Sequence, residues 1–186
     1  MTPTPLSAAG LMPVRVPSDH RPRLDALSRA GLTEFRAMFD SAPEVTASDF
    51  ARLDGDVTMR SFPGSAERVL GPVMARPSYF WVAKSFRHVD GEMAVGHNVF
   101  RLLGGMRALN FVATVGASVL DGRPAVLFDY DDPRVGSRRP ARRIYDELRE
   151  VEPDLWLGPS YFVSGSKRIP MGWFALDASV PFDGPA

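Results

Sequence analysis

One lysine stands in the middle of a row of aromatic and aliphatic residues. In segment 79–88 every second residue belongs to this row, which reads Phe80, Val82, Lys84, Phe86 and His88. Because alternate residues of a strand point to the same side, the row forms one face of a predicted strand. An inward face would desolvate the Lys84 ammonium and make it a base, an amine nucleophile or an anchor for an anionic group. An outward face would leave a surface lysine whose ammonium stays in water.

The next predicted strand carries a histidine and an asparagine side by side. His97 shares one face with two valines, whereas Asn98 shares the other face with Phe100. The register of the strand therefore decides which of the two side chains is buried. His97 could act as a general acid or base near neutral pH, as an axial ligand of haem iron, or as a hydrogen-bonded structural histidine. Lys84 and His97 are the two predicted catalytic residues.

Aromatic residues and side-chain amides are spread over several predicted strands. In segment 109–120 one face is apolar, while the face that contains Asn110 is small and mixed. That small face leaves room for a ligand or for a packed helix. Aromatic side chains form cavity walls, and they pack protein cores equally well. The residues predicted to contact a ligand are Tyr79, Trp81, Phe86, Asn98, Phe100, Asn110, Tyr130, Trp156, Tyr161 and Trp173.

An acidic cluster at Asp129, Asp131 and Asp132 could bind a divalent cation or supply carboxylate bases. It precedes Pro133 at a predicted strand end, where a solvated cap explains it as well. The chain has no cysteine, which excludes disulfides, thiolate nucleophiles and zinc-thiolate sites. The sequence contains no glycine-rich phosphate loop, nucleophile elbow or metal-spaced histidine pair. We therefore predict no metal and no cofactor.

In the segments that must position these residues, apolar residues recur at every second position. Seven segments show this pattern and are predicted to be strands: 57–62, 79–88, 93–103, 109–120, 125–131, 155–163 and 169–177. Several of them are joined by turn dipeptides, namely Asp90-Gly91, Gly104-Gly105, Asp121-Gly122 and Ser164-Gly165. Strands joined by such short turns are antiparallel neighbours.

Helical spacing precedes the first predicted strand. Apolar residues recur at three- and four-residue steps in segment 24–39, which is broken by a glycine and has Thr33 as a candidate N-cap. The pattern predicts one or two short helices there. Another short helix is predicted over 47–53, with Thr46 or Ser48 as its cap.

Two further helices are predicted as insertions between strands, over 66–74 and over 140–150. The second contains pairs of opposite charge four residues apart, which stabilise helices. Segment 1–24 is rich in proline, a composition that resists both helices and sheet ladders. The predicted organisation is a flexible tail or strap over 1–24 and a single barrel domain over 25–186.

Composition narrows the classes of partner. Lys plus Arg and Asp plus Glu number 22 each, so no net field attracts nucleic acid over long range. No segment has the apolar length of a membrane span, and the N-terminus lacks the basic start and apolar run of a signal peptide. These features predict a cytoplasmic protein. Self-association through the proline-rich tail or an exposed strand edge stays open.

Three stretches carry a resemblance to a known family. Residues 39–45, 53–58 and 80–86 read FDSAPEV, LDGDVT and FWVAKSF. They resemble the small bacterial proteins named for a Gly-x-Trp-x-Gly motif, which are lipocalin-type (calycin) barrels with a helix leading into the first strand. The motif itself is degenerate here, because Gly55 is followed by neither Trp nor a second Gly. The resemblance implies a barrel with a ligand cavity.

Together these patterns predict a mostly β fold, an antiparallel lipocalin-like barrel with short N-terminal helices and one or two inserted helices. A barrel of about eight strands has an interior that holds side chains or one small ligand. The predicted function is the binding of an apolar, polyketide- or lipid-like small molecule, with cofactor-independent cyclase or isomerase activity as its enzymatic form. The alternatives are a non-catalytic carrier or sensor and a haem-binding barrel that uses His97 or His88.

Overall fold

Eight antiparallel strands form a closed barrel in the computed structural model, which describes residues 21–63, 81–101, 105–137, 139–180 and 182. The strands are β1 (Gly55–Pro63), β2 (Trp81–His88), β3 (Met93–Phe100), β4 (Met106–Ala117), β5 (Pro124–Asp129), β6 (Ile144–Glu152), β7 (Leu155–Ser164) and β8 (Lys167–Asp177). Each strand pairs with its neighbours in sequence, and β8 pairs with β1 to close the ring. The predicted fold class is confirmed.

Turns with left-handed backbone connect the strands where the sequence predicts them. Gly122 between β4 and β5 has a φ of 77°, and Gly165 between β7 and β8 has a φ of 60°. Residues with a Cβ rarely adopt this conformation, so glycine permits the tight antiparallel connection. The predicted neighbours β4–β5 and β7–β8 are indeed paired.

Three short helices precede β1 in the described segment 21–54. They are α1 (Pro22–Leu27), α2 (Leu32–Ser41) and α3 (Ala47–Phe50). Thr46 caps α3, because its side chain accepts a hydrogen bond from the backbone of Asp49. The cap predicted at Thr33 is wrong, since Gly31 is the N-cap of α2 and its N–H donates to the carboxylate of Glu34. None of the helices in the described ranges is long and apolar enough to cross a membrane.

The helix predicted over 140–150 is wrong, because this segment forms a single 3-10 turn, Ala141–Arg143, followed by β6. β6 supplies the backbone hydrogen bonds that join β5 to β7, and a helix would leave both of those edges unpaired. The inserted helix predicted over 66–74 lies outside the described residues. So do residues 1–20 of the tail or strap predicted over 1–24, whose last three residues begin α1.

Apolar side chains are buried on both sides of the barrel wall. The inner core includes Val57, Met59, Phe86, Phe111, Phe128, Leu148, Trp156 and Phe174. α3 closes one end of the barrel, where Phe50 and Leu53 join this core. α1 and α2 cover the outer face of the wall, and the residues of that contact include Leu24, Leu27, Phe35, Phe62, Leu155, Leu157 and Ala175.

An arginine on the outer face of β6 is buried beneath α2. The Arg149 guanidinium donates to both carboxylate oxygens of Asp121, at 2.6 and 2.7 Å, and lies 4.3 Å from the centre of the Phe39 ring. It also donates to backbone oxygens of Phe39, Pro124 and Arg123. Asp121 hydrogen-bonds this guanidinium, and its pKa is lowered from 3.8 to about 2.

We predict that Asp121→Asn destabilises the fold, because it leaves the buried Arg149 charge without its counterion. The free energy of unfolding should fall by about 1–3 kcal/mol at neutral pH in denaturant titrations. The folded-state pKa of Asp121 is depressed, so its contribution is present above pH 3.8 and is lost as the pH falls through about 2. The difference in the free energy of unfolding between the variant and the wild type should therefore shrink as the pH falls from 3.8 to about 2.

Asp40→Asn is the matched control for this prediction. Asp40 pairs with Arg36 at 2.7 Å on the exposed side of α2, where both side chains are 43% exposed. The loss of such a surface pair should cost about 0.5 kcal/mol or less. Equal losses in the two variants would contradict the role assigned to Arg149 and Asp121.

Candidate functional site

The Lys84 side chain points into the barrel and makes three hydrogen bonds there. Its Nζ donates to Asn98 Oδ1 at 2.9 Å, to Tyr130 OH at 2.6 Å and to Asp146 Oδ2 at 2.9 Å. β2 and β6 lie four strands apart in a ring of eight, so the ion pair between Lys84 and Asp146 spans the lumen. The side chain of Lys84 is 1% exposed and that of Asp146 is 4% exposed.

Asp146 receives three hydrogen bonds. Its Oδ2 accepts from Lys84 and also from the hydroxyl of Tyr130, at 2.7 Å, while its Oδ1 accepts from Ser160 Oγ at 2.6 Å. An ammonium has three N–H donors, and all three of Lys84 find oxygen acceptors. The geometry thus matches a charged pair. We call Lys84, Asn98, Tyr130, Asp146 and Ser160 the polar cluster.

Four aromatic rings surround the Lys84 ammonium. Its Nζ lies 4.8–5.3 Å from the ring centres of Phe111, Phe128, Tyr130 and Phe174. Ring faces attract a cation, and the attraction grows when water is excluded. The carboxylate of Asp146 and the four rings therefore stabilise the positive charge of Lys84 inside the barrel.

Burial shifts the titration of two members of the polar cluster. Desolvation lowers the pKa of the Lys84 ammonium below 10.5, while the Asp146 carboxylate opposes part of this shift. Desolvation also raises the pKa of the Tyr130 hydroxyl well above 10.0, and the Asp146 carboxylate raises it further. Tyr130 consequently stays a neutral hydrogen-bond donor at physiological pH.

The backbone beside Asn98 has an uncommon conformation. Leu109 on β4 has a φ of 55°, a left-handed conformation that residues with a Cβ adopt rarely. The pairing between β3 and β4 shifts register between Gly96 and Asn98. The Leu109 carbonyl accepts a hydrogen bond from Asn98 Nδ2 at 3.2 Å, which fixes the orientation of the amide. Strain of this kind is concentrated at functional sites.

The barrel interior contains most of the residues that the sequence predicts to contact a ligand. Phe86 and Trp156 belong to the inner core, and Trp81 packs against it and stacks on Phe100, with ring centres 5.3 Å apart. Asn98 and Tyr130 are both in the polar cluster. Tyr79 lies outside the described residues.

Four predicted residues lie on the outer side of the barrel wall instead. Trp173 packs on α2, 5.9 Å from the ring of Phe35. Tyr161 lies beside Tyr145, and burial together with the Glu147 carboxylate raises the pKa of Tyr161 to about 12. The two others, His97 and Asn110, line one groove of about 430 Å³ on the outside of β2, β3 and β4.

The histidines of β2 and β3 are held by neighbouring residues. His97 Nε2 lies 2.8 Å from Arg107 Nη1, so this nitrogen is an acceptor. Burial lowers the pKa of His97 below 6.5, and the guanidinium of Arg107 lowers it further. His88 lies at the closed end of the barrel, with its Nε2 3.0 Å from the carbonyl oxygen of Leu53.

The acidic cluster at the end of β5 is held by hydrogen bonds and ion pairs, with Asp129 Oδ1 accepting from the backbone N–H of Asp131. Asp131 pairs with Arg142, and Asp132 pairs with Arg134 at 2.6 Å. Within the ranges that the structure describes, no group of three or more His, Cys, Asp or Glu side chains could hold a metal ion.

Asp146 and Ser160 are the site residues that the sequence interpretation missed. Asp146 fell in the segment predicted as a helix, where its charge suggested a solvated face. The signal that could have found it is the alternation of Ile144, Asp146 and Leu148, because a period of two places the carboxylate on the same face as two apolar residues.

Comparison with known proteins supports the fold alone. The chain matches no protein-family model and no curated protein. Among solved structures it is similar to a crystal structure of a protein from Thermomonospora curvata, with a TM-score of 0.51 and 16% sequence identity. The match covers 83% of this chain and 93% of that chain. The closed barrel fits a lipocalin-like fold, while the resemblance to the Gly-x-Trp-x-Gly proteins stays a prediction.

We predict strong coupling between Lys84 and Asp146. Lys84→Met and Asp146→Leu should each lower the free energy of unfolding by about 3–5 kcal/mol, because each leaves one buried charge unpaired. The double variant leaves no unpaired charge, so its loss should be smaller than the sum of the two single losses. Denaturant titrations of the four proteins measure this coupling, and additive losses would show that the two charges do not interact.

Proposed function

We propose that the barrel binds an apolar, polyketide- or lipid-like small molecule that carries a carbonyl oxygen. In this proposal the polar cluster recognises the oxygen through Lys84 and Tyr130. Both donors are engaged within the cluster, so the ligand oxygen displaces one of their internal acceptors. The observation that carries the proposal is the buried charged pair between Lys84 and Asp146, which lies among the apolar side chains of the inner core.

The energetics of such a pair favour a role in recognition. Replacement of a buried ion pair by packed hydrophobic residues is often neutral, or stabilises a protein by about 1–4 kcal/mol. An eight-stranded barrel of this size can fill its interior with apolar side chains. Folding alone therefore does not require Lys84 and Asp146, and buried titratable groups with shifted pKa values are concentrated at functional sites.

The ligand would approach from the end of the barrel opposite α3. The start of β2 and the end of β3 lie at that end, where Trp81 and Phe100 stack on each other. Trp81, Leu109 and Ile144 are only partly buried and pack against the inner core. In the proposal these apolar residues contact the body of the ligand, and entry requires displacement of the stacked pair.

Cofactor-independent isomerisation or cyclisation of the ligand is a second candidate function. It is supported by the neutral Tyr130 hydroxyl and the Lys84 ammonium, which lie 2.6 Å apart and could stabilise an oxyanion that develops on the carbonyl. Asp146 holds both donors in place, because its Oδ2 accepts hydrogen bonds from Lys84 and Tyr130. Catalysis would then depend mainly on orientation of the substrate. His97 lies across the barrel wall and has no part in this proposal.

The first test is native mass spectrometry of the purified protein beside denaturing extraction. The proposal predicts a co-purifying apolar compound, or saturable uptake of an added one. The proposal would be contradicted if no compound co-purifies with the protein and added 4-phenylbutan-2-one does not bind to it.

The preference for a carbonyl group gives a sharper test. We predict that 4-phenylbutan-2-one binds about tenfold more tightly than butylbenzene, because one hydrogen bond to a charged donor contributes about 1.5–3 kcal/mol. Titration calorimetry measures both affinities. Tyr130→Phe, and Lys84→Met if it folds, should remove the preference. Lys167→Met is the matched control, because Lys167 is the other lysine of the chain and is exposed at the β7–β8 turn.

A ketone and a hydrocarbon of equal affinity would contradict the recognition role of the polar cluster. Conversion of the ketone into an isomer would support isomerase activity. If a co-purified ligand binds but is not converted, a non-catalytic carrier is supported.

A further inference from the structure

The geometry points to Lys84 as the site of a reversible covalent bond, an imine formed with an apolar aldehyde. This inference rests on the proposed function, because the aldehyde must reach the interior by the same route as any other ligand. It narrows the ligand from any carbonyl compound to an aldehyde, the class whose carbonyl carbon an amine attacks most readily.

An acceptor for the proton that the Lys84 ammonium must lose lies next to Nζ. A lysine attacks a carbonyl only as the neutral amine, so the ammonium must first lose a proton. The Asp146 carboxylate lies 2.9 Å from Nζ and can take that proton directly. The desolvation that lowers the pKa of Lys84 reduces the cost of this transfer.

The reaction balances without any further reactant. Asp146 takes a proton from the ammonium, and the neutral Nζ forms a bond to the aldehyde carbon. A proton then moves from nitrogen to oxygen, which gives a carbinolamine. The protonated Asp146 returns its proton to the carbinolamine hydroxyl, which leaves as water while the carbon–nitrogen double bond forms. The products are a protonated imine, a carboxylate and one water molecule.

The interior that holds the ammonium also suits the product. The protonated imine carries one positive charge, as the ammonium does, so the buried charges are the same before and after reaction. Its single N–H can keep the hydrogen bond to Asp146 Oδ2. The four surrounding rings stabilise either cation. Asn98 and Tyr130 lose their contacts with Nζ and can bond the oxygen of the carbinolamine.

The amino-acid composition makes the site easy to identify by experiment. The chain has no cysteine, and its lysines are Lys84 and Lys167. An aldehyde therefore has those two side-chain amines and the N-terminal amine as partners for an imine. Lys167 is exposed, so its reactivity serves as the reference for an ordinary surface lysine.

The test treats the wild-type protein with trans-cinnamaldehyde and then with sodium borohydride, which converts an imine into a stable amine. Intact mass should show one adduct, and peptide mapping should place it on Lys84 in about tenfold excess over Lys167, because binding holds the aldehyde beside the amine. Lys167→Met should give the same adduct at Lys84. Since mapping is done on the wild type, the result does not depend on the folding of a Lys84 variant.

Cinnamyl alcohol separates this inference from the proposed function, since it has a similar shape and cannot form an imine. If the alcohol and the aldehyde both compete with 4-phenylbutan-2-one while adducts form equally on Lys167 and Lys84, imine formation is overturned and binding stands. If neither compound competes and no adduct forms on Lys84, both proposals are overturned. If cinnamyl alcohol no longer binds once Lys84 carries the reduced adduct, imine formation and binding in the barrel are both supported.

Discussion

A charged pair that crosses an apolar lumen is the constraint on which this structure depends. Lys84 is long enough to reach from β2 to Asp146 on β6, and the pair is stable there because every donor and acceptor around it has a partner. Asn98 and Tyr130 bring β3 and the end of β5 into the same network. The polar cluster thereby joins the paired strands β2 and β3 to the paired strands β6 and β7 on the opposite side of the lumen.

The outer layer of helices imposes a second constraint on the same strand. β6 has charged side chains on both faces, since Asp146 points into the lumen while Glu147 and Arg149 are buried outside it. Glu147 accepts a hydrogen bond from the backbone of Val119, and Arg149 is enclosed by α2 and the β4–β5 turn. A strand covered on both sides can carry charges only where each is paired or hydrogen-bonded. Asp146 and Arg149 are in ion pairs, whereas Glu147 accepts hydrogen bonds from neutral donors.

Much of the barrel could be predicted from local pattern, whereas the polar cluster could not. The period of two and the glycine turns indicate which seven segments are strands, because pleat and turn geometry are local. The bounds are less exact, since β4 begins and ends three residues before the predicted 109–120. β6 was misread because charged residues four apart also suit an exposed helix, and only the need to join β5 to β7 decides between the two. The same error removed Asp146 from the predicted site, so Lys84 had no predicted counterion.

The amino-acid sequence by itself determined the antiparallel β architecture, the short helices before it and the unusual position of one lysine among apolar residues. These properties depend on residues close together in the chain. The tertiary structure alone decided that Lys84 and Asn98 point inward, that His97 and Trp173 lie outside, and that Asp146 meets Lys84 across the lumen. The direction of a strand face depends on barrel closure and on burial against distant residues, and no local pattern contains that information.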